Sequence, residues 1–286
     1  MRQGKKRQEK IMQWTFTLCG YIAVAFVILI CGFLLYFGTP AIVEIGLWDF
    51  LTGEKWAAGA SNPAFGIMPF ILTSIYGTLG AMLIGVPVGV LCAAWIARVA
   101  TNRIGRAVRT AVELLAGIPS VVYGLVGMLV LVPLVRDVFG LPDGANLFSA
   151  ILVLAVMILP TVISVSETAI RAVPKEYEEG SLALGATKTE TLFRVILPAA
   201  RSGIVTATVL GVGRSIGEAM AVMMVSGNVS NMPGIFKSVR FLTTAVASEM
   251  SYASGLHRQA LFSVALVLFA FIILINLMLG LIKRKG

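Results

Sequence analysis

Residues 174–198 read PKEYEEGSLALGATKTETLFRVILP, a charged, helix-forming insert between two apolar runs, 147–166 and about 204–226. Pro174 suits the start of a helix. Glu176, Glu178 and Glu179 fill its first turn, where acidic groups meet the positive end of the helix dipole. Gly185 is a natural stop. Thr187-Lys188-Thr189-Glu190 is a capping-box pattern that restarts a second short helix, which Pro198 limits. The expected element is helix–Gly–helix. With Tyr177, Leu182 and Ala183 among its charges, it suits a lipid surface or a protein groove.

Outward from this insert the chain is apolar. Of 286 residues, 58% are hydrophobic and 13% charged, with a mean hydropathy of +0.91. Soluble domains carry roughly 25% charged residues. So little charge cannot cover a soluble surface, which excludes an ordinary soluble enzyme, a disordered chain and a secreted disulfide scaffold. A run of about 20 apolar residues crosses a bilayer. Six runs qualify: 14–37, 67–97, 114–134, 147–166, about 204–226 and 260–282. The first follows a flank of Arg2, Lys5, Lys6, Arg7 and Lys10 that resembles the start of a signal peptide. Its 24 uncharged residues exceed such a core, so a retained helix is expected.

Pro69, Pro87, Pro119 and Pro160 fall inside apolar runs, where neighbouring helices can satisfy the freed carbonyls. Gly85–Gly89 and Gly213–Gly217 have the small-xxx-small spacing of close helix packing. Cys19, Cys31 and Cys92 lie in apolar runs without a CxxC or a nearby His and read as buried small hydrophobes. His257 is the single histidine, so no His-based metal site is expected.

The formal net charge of +9 is an orientation signal. The N-terminal tail, 98–113, 167–203 and the C-terminal tail together hold seventeen Lys and Arg, and the alternate loops hold five. The positive-inside rule therefore places both termini in the cytoplasm, with no nucleic acid needed to explain the charge. The one remaining of the 23 basic residues is Arg214, inside the fifth run. It lies about 16 Å along the helix from the cytoplasmic end, near the midplane of a core about 30 Å thick. Charge is expensive there, so the side chain should face protein or water. Glu218 stands four residues on, on the same face of a continuous helix. The two can form a structural ion pair, or they can serve an anion path. In the second case the Arg214 guanidinium matches an oxyanion, and Glu218 keeps it from binding too tightly. Outside, Lys237, Arg240, His257 and Arg258 cluster in the last loop, as anion or protein contacts or as a solvated surface.

Glu179-Gly180-Ser181, three residues, Gly185, nine residues and Val195-Ile196-Leu197-Pro198 resemble the EAA–x3–G–x9–I–x–L–P loop of ABC-importer permeases. Gly180, Ser181 and Val195 depart from it. Residues 113–124 (ELLAGIPSVVYG) and 211–222 (GVGRSIGEAMAV) look like phosphate-specific transport permeases, and 249–258 (EMSYASGLHR) like their PstC-type member. The resemblance implies an all-α integral membrane fold. It would have six transmembrane helices and a type I (MetI-like) permease core over 67–286, preceded by a basic tail at 1–13 and a helix at 14–37. It implies that Glu178, Glu179, Ala183, Leu184 and Gly185, in the 167–203 loop, face a cytoplasmic ATPase dimer of PstB type. It further implies a PstA-type sister permease, a PstS-type external phosphate-binding protein and a bacterial inner-membrane location. Arg214, Glu218 and Ser215 would lie on the phosphate path. ATP and Mg would be bound by the ATPase, with no cofactor and no chemistry in this chain.

Two rival readings follow from the residues. Gly213-Arg214-Ser215-Ile216-Gly217 matches G-x-S-x-G, so an intramembrane hydrolase with Ser215 as nucleophile and His257 as base is conceivable. Midplane charges also suit an ion-coupled secondary anion transporter. Gly185-Ala186-Thr187-Lys188-Thr189 lacks the glycines of a P-loop, so ATP must be bound elsewhere.

Overall fold

The computed structural model describes the backbone of residues 2–285, and the side chains within 10–280 except those of Asn102, Met278 and Leu279. The basic side chains expected at Arg2, Lys5, Lys6, Arg7, Lys283, Arg284 and Lys285 lie outside the described set. The described chain is mostly helical, with one small two-stranded hairpin and a long irregular stretch at 227–241. Helix α1 (Arg2–Ile45) is followed by α2 (Leu47–Thr52) and by strands β1 (Trp56–Ala57) and β2 (Ala64–Phe65), antiparallel with Trp56 opposite Phe65. Then come α3 (Met68–Ala94), extended by a π-helical turn at Trp95–Val99, and α4 (Asn102–Ala116). Next are α5 (Ser120–Val126) and α6 (Val132–Phe139), joined by a π turn, and α7 (Leu147–Arg171). The insert holds α8 (Lys175–Ala183), α9 (Lys188–Thr191), a π turn and α10 (Leu197–Ala199). The chain closes with α11 (Arg201–Gly217), α12 (Met220–Val225), α13 (Leu242–Glu249) and α14 (Gly255–Lys285).

Among the described residues five helical stretches are long and apolar enough to span a bilayer: Lys10–Ile45, Met68–Val99, Ser120–Phe139, Leu147–Arg171 and Gly255–Leu277. The remaining run, the fifth in the sequence, is broken: Arg201–Gly217 leaves Lys188–Ala199 of the insert at a bend of 70°, and the helix stops again after Gly217. Pro198 does not end the second short helix; it sits in α10, and the bend follows at Ala200. The third span starts at Ser120 rather than 114, because Pro119 stands just before α5 instead of inside a helix. The residues before it form α4, a separate amphipathic helix whose buried Val112 joins the core beside Ile96 and Ile170. Pro69 likewise lies in the first turn of α3, and only Pro87 and Pro160 of the four are interior.

Lipid is as apolar as a leucine side chain, so close backbone approach rather than water exclusion holds membrane helices together. Gly85 and Gly89 supply it at the α3–α7 contact. A Cβ on Gly89 would lie 2.7 Å from Val162 Cγ1, and one on Gly85 would lie 3.0 Å from the Ala155 carbonyl oxygen. Gly213 and Gly217 do not do this, since a Cβ on either meets nothing within 4 Å. The packed face of α11 carries Ala207, Gly211 and Ser215, with Gly211 against Val162. The opposite face, with Leu210, Gly213 and Gly217, is open. Helix α1 touches the bundle through its second half, where the Ser263 hydroxyl donates to the Gly38 carbonyl at 2.5 Å and Phe37 meets Phe262. Residues 10–30 of α1 are exposed, including Cys19, which is therefore not a core cysteine.

Candidate transport site and coupling insert

The insert folds as its residues require. Helix α8 begins after Pro174 and ends at Leu184, and Gly185 takes φ +85°, a left-handed conformation that glycine adopts without strain. The capping box is complete. The Glu190 amide donates to Thr187 Oγ1 at 3.3 Å, and the Thr187 amide donates to Glu190 Oε2 at 2.9 Å. The backbone N–H and hydroxyl of Thr187 hold the Glu190 carboxyl below its ordinary pKa. Ser181, at a position where the family loop carries alanine, forms a hydroxyl–hydroxyl bond of 2.9 Å with Thr191 and so ties α8 to the next helix.

Of the five residues expected to face a partner, Glu179, Ala183, Leu184 and Gly185 are exposed. Leu184 is 90% exposed, and Tyr177 and Leu182 lie open nearby. Glu178 turns inward: Arg98 Nη1 donates to its Oε2 at 2.8 Å. Beside this pair, Glu167, with a side chain only 7% exposed, accepts from Arg109 of α4 and from Arg171 Nε at 2.7 Å. These pairs bring 98–116 and 167–199 together at one end of the bundle. The hairpin, the α12–α13 segment and the start of α14 gather at the other.

Arg214 and Glu218 are not the expected helical pair. Arg214 is in the last turn of α11, where a cation suits the negative end of the helix dipole. Glu218 lies past the helix end in an extended conformation, φ −75° and ψ 127°. Its Oε1 accepts from the Ala221 amide at 3.0 Å, which caps α12, and its carbonyl accepts from the Thr243 hydroxyl at 2.8 Å. Among the described residues Arg214 makes no ion pair and no hydrogen bond, and its Nε is buried without a partner. The Tyr123 hydroxyl of α5 donates to the Leu115 carbonyl of α4 at 2.7 Å. Arg214 is thus a semi-buried cation without a counterion, beside a break in the middle of a span. Ser215 is 3% exposed and points into the packed face of α11.

At the far end the four expected basic residues separate. Lys237 and Arg258 are exposed. Arg240 and His257 converge on Glu249, a buried residue that sequence reasoning passed over. Arg240 pairs with its Oε1, while His257 Nε2 lies 2.8 Å from Oε2 and the Trp56 indole N–H donates to Oε2 at 3.0 Å. Arg240 also donates to the Asn228 carbonyl at 3.0 and 2.8 Å. A cavity of about 600 Å³ opens beside this cluster, walled by Trp56, Tyr252 and Ser230. Glu249 joins segments nearly two hundred residues apart, and no local spacing signals that. His257 is committed to Glu249, whereas Ser215 Oγ is buried without a partner. The two do not form a nucleophile–base pair.

Residues 85–285 match the family of binding-protein-dependent transport system inner membrane components. The chain is 37% identical over 284 residues to the "Probable ABC transporter permease protein YqgH" of Bacillus subtilis strain 168, covering 96% of this chain and 92% of that one. It is 35% identical over 269 residues to the phosphate transport system permease protein PstC of Pasteurella multocida, covering 83% and 82%. Among solved structures, an inward-facing MetNI methionine ABC transporter aligns with a TM-score of 0.57 at 23% identity over 77% of this chain and 94% of that one. A bacterial ABC transporter that imports alginate aligns at 0.56 and 16% identity over 95% and 98%. Both share the fold of this multi-pass membrane protein, and the family and sequence matches go further: the chain belongs to the binding-protein-dependent transport system inner membrane component family.

Proposed function

We propose that this chain is a permease subunit of an ATP-driven importer of inorganic phosphate. The observation that carries the substrate is Arg214. A guanidinium never loses its proton, and its planar fork matches phosphate oxygens. A midspan Arg without a carboxylate partner is costly unless something compensates it during the working cycle. A passing oxyanion would. The break after Gly217 supports the same reading, because irregular backbone at membrane depth is tolerated where it lines a cavity or is buried in protein. The open α11 face, smoothed by Gly213 and Gly217, leaves room for the path and for a PstA-type sister permease.

The exposed α8 surface, with Leu184 at its tip, is the contact for a cytoplasmic ATPase dimer of PstB type. That dimer binds ATP and Mg; this chain catalyses no reaction. The clustering of 98–116 with 167–199 at one end of the bundle supports an orientation with both termini in the cytoplasm. The cavity beside Glu249 then faces a PstS-type phosphate-binding protein. Closure of the ATPases would push α8 and rock the helices so that Arg214 opens alternately to each side. The test is co-purification followed by reconstitution. Recovery of an ATPase and a second permease, with ATP turnover stimulated by phosphate-loaded binding protein, supports the reading. Phosphate uptake that persists in vesicles lacking any ATPase overturns it in favour of an ion-coupled carrier.

A further inference from the structure

We propose that Arg98 is a positioning residue of the transport cycle, fastening α8 to the ends of α3 and α7 so that a push on α8 is delivered to the membrane core. The inference rests on the reading that α8 docks on an ATPase. Between α7 and α8 the chain is non-helical at 172–174, a short joint that would let α8 swing independently of the span before it. Arg98 crosses that joint. Its guanidinium, in the π turn that ends the α3 span, donates through Nη2 to the Ile170 carbonyl at 2.9 Å and the Val173 carbonyl at 3.1 Å, and through Nη1 to Glu178 at 2.8 Å. The two carbonyls are among those a helix end leaves unpaired, and arginine satisfies them with a charge-assisted bond. The arrangement is reciprocated, since Arg171 Nη2 donates to the Ile96 carbonyl at 3.1 Å. One side chain therefore holds three elements: the end of α3, the end of α7 and the first turns of α8.

The side chain of Arg98 is 14% exposed, so these bonds compete little with water. Buried ionic contacts stabilise little by comparison with what their loss costs, and their best-attested use is to fix one arrangement against another. The acidic pair of α8 accordingly divides its work. Glu179 is exposed and free for the partner, whereas Glu178 is held inward. A rigid joint between α8 and α7 is what turns ATP-driven motion of α8 into motion of the path.

The experiment uses the full transporter in proteoliposomes with phosphate-loaded binding protein, comparing Arg98→Met, Arg98→Lys and Glu178→Met. It reads assembly, ATP turnover and the ratio of phosphate transported to ATP consumed. Arg98→Met is expected to assemble and hydrolyse ATP while the ratio falls about tenfold, the scale of losing a charged hydrogen bond. Arg98→Lys, which keeps the charge without the fork, should recover part of the ratio. A purely structural role would lower assembly and leave the ratio of assembled complexes unchanged, and that result overturns the proposal. If Arg98→Met does not assemble, Glu178→Met decides: it removes the acceptor on α8 while Arg98 keeps both carbonyl bonds, and a wild-type ratio overturns the proposal. A wild-type chain that recruits no ATPase overturns the docking reading, and this inference with it.

Discussion

The Thr243 hydroxyl donates to the Glu218 carbonyl at 2.8 Å, fastening the break in span five to helix α13. Without this bond the carbonyl would be a backbone acceptor stranded at membrane depth, where nothing from the bilayer can satisfy it. Helix α13 also ends in Glu249, so one short helix links the Arg214 region to the Arg240–Glu249–His257 cluster. Thr243→Val keeps the shape and removes the donor. It is expected to lower stability by about 1 kcal/mol and to slow uptake more than that loss explains, because Glu218 is freed to refold into helix. Thermal unfolding of the purified complex, set beside its uptake rate, checks both parts.

Arg214→Gln should abolish phosphate uptake while leaving the complex assembled. Among the described residues the guanidinium pairs with no carboxylate, so its removal strands no partner charge there. Taking a charge out of an apolar span should instead raise thermal stability or leave it level. Arg214→Lys keeps the charge but loses the fork, and intermediate uptake is expected. Normal uptake by the Gln variant would remove Arg214 from the path.

Much of this was legible before the structure, and for identifiable reasons. Scarcity of charge named the bilayer, and the Pro174, Gly185 and Thr187–Glu190 signals placed the insert because caps and glycines act locally. The break after Gly217 was not legible. Residues 211–222 contain no proline and keep helical spacing, and what holds the break open is Thr243, 25 residues downstream. Pro119 misled for a similar reason. The apolar stretch before it continues the hydropathy of the span, yet α4 is held aside by Arg109 on Glu167, 58 residues away. Glu249 stands in the sequence only as the start of the 249–258 stretch, because its role comes from Trp56, separated from it by 193 residues. Tertiary hydrogen bonds, not propensities, decided each of these.

Glu249→Gln is expected to be strongly destabilising. It leaves Arg240, whose side chain is 15% exposed, without its carboxylate and weakens the hold on His257 and Trp56. Breaking one side of a buried ion pair costs about 3–5 kcal/mol. Arg240 retains its two bonds to the Asn228 carbonyl, which places the effect toward the lower end. The measurement is the unfolding midpoint in detergent. A midpoint within a degree of wild type would show that the cluster does not hold the hairpin to α13.

The capping box at Thr187–Glu190 makes the second half of the insert sensitive to acid. Glu190 has its pKa lowered by the Thr187 amide and then by the Thr187 hydroxyl, outside the spans. A carboxyl whose folded pKa is depressed contributes stability above its unfolded pKa and loses it as pH falls through the lower, folded value. The start of α9 should therefore be protected at neutral pH and should fray as the carboxyl protonates below the ordinary glutamate range. Hydrogen exchange at the amide of Glu190, corrected for intrinsic rates, reads this directly. Glu190→Gln retains an acceptor for the Thr187 amide and cannot titrate. It should keep the protection and abolish its pH dependence, whereas Thr187→Ala should lower protection at every pH. An equal acid response in the wild-type and Gln chains would assign the fraying to another group.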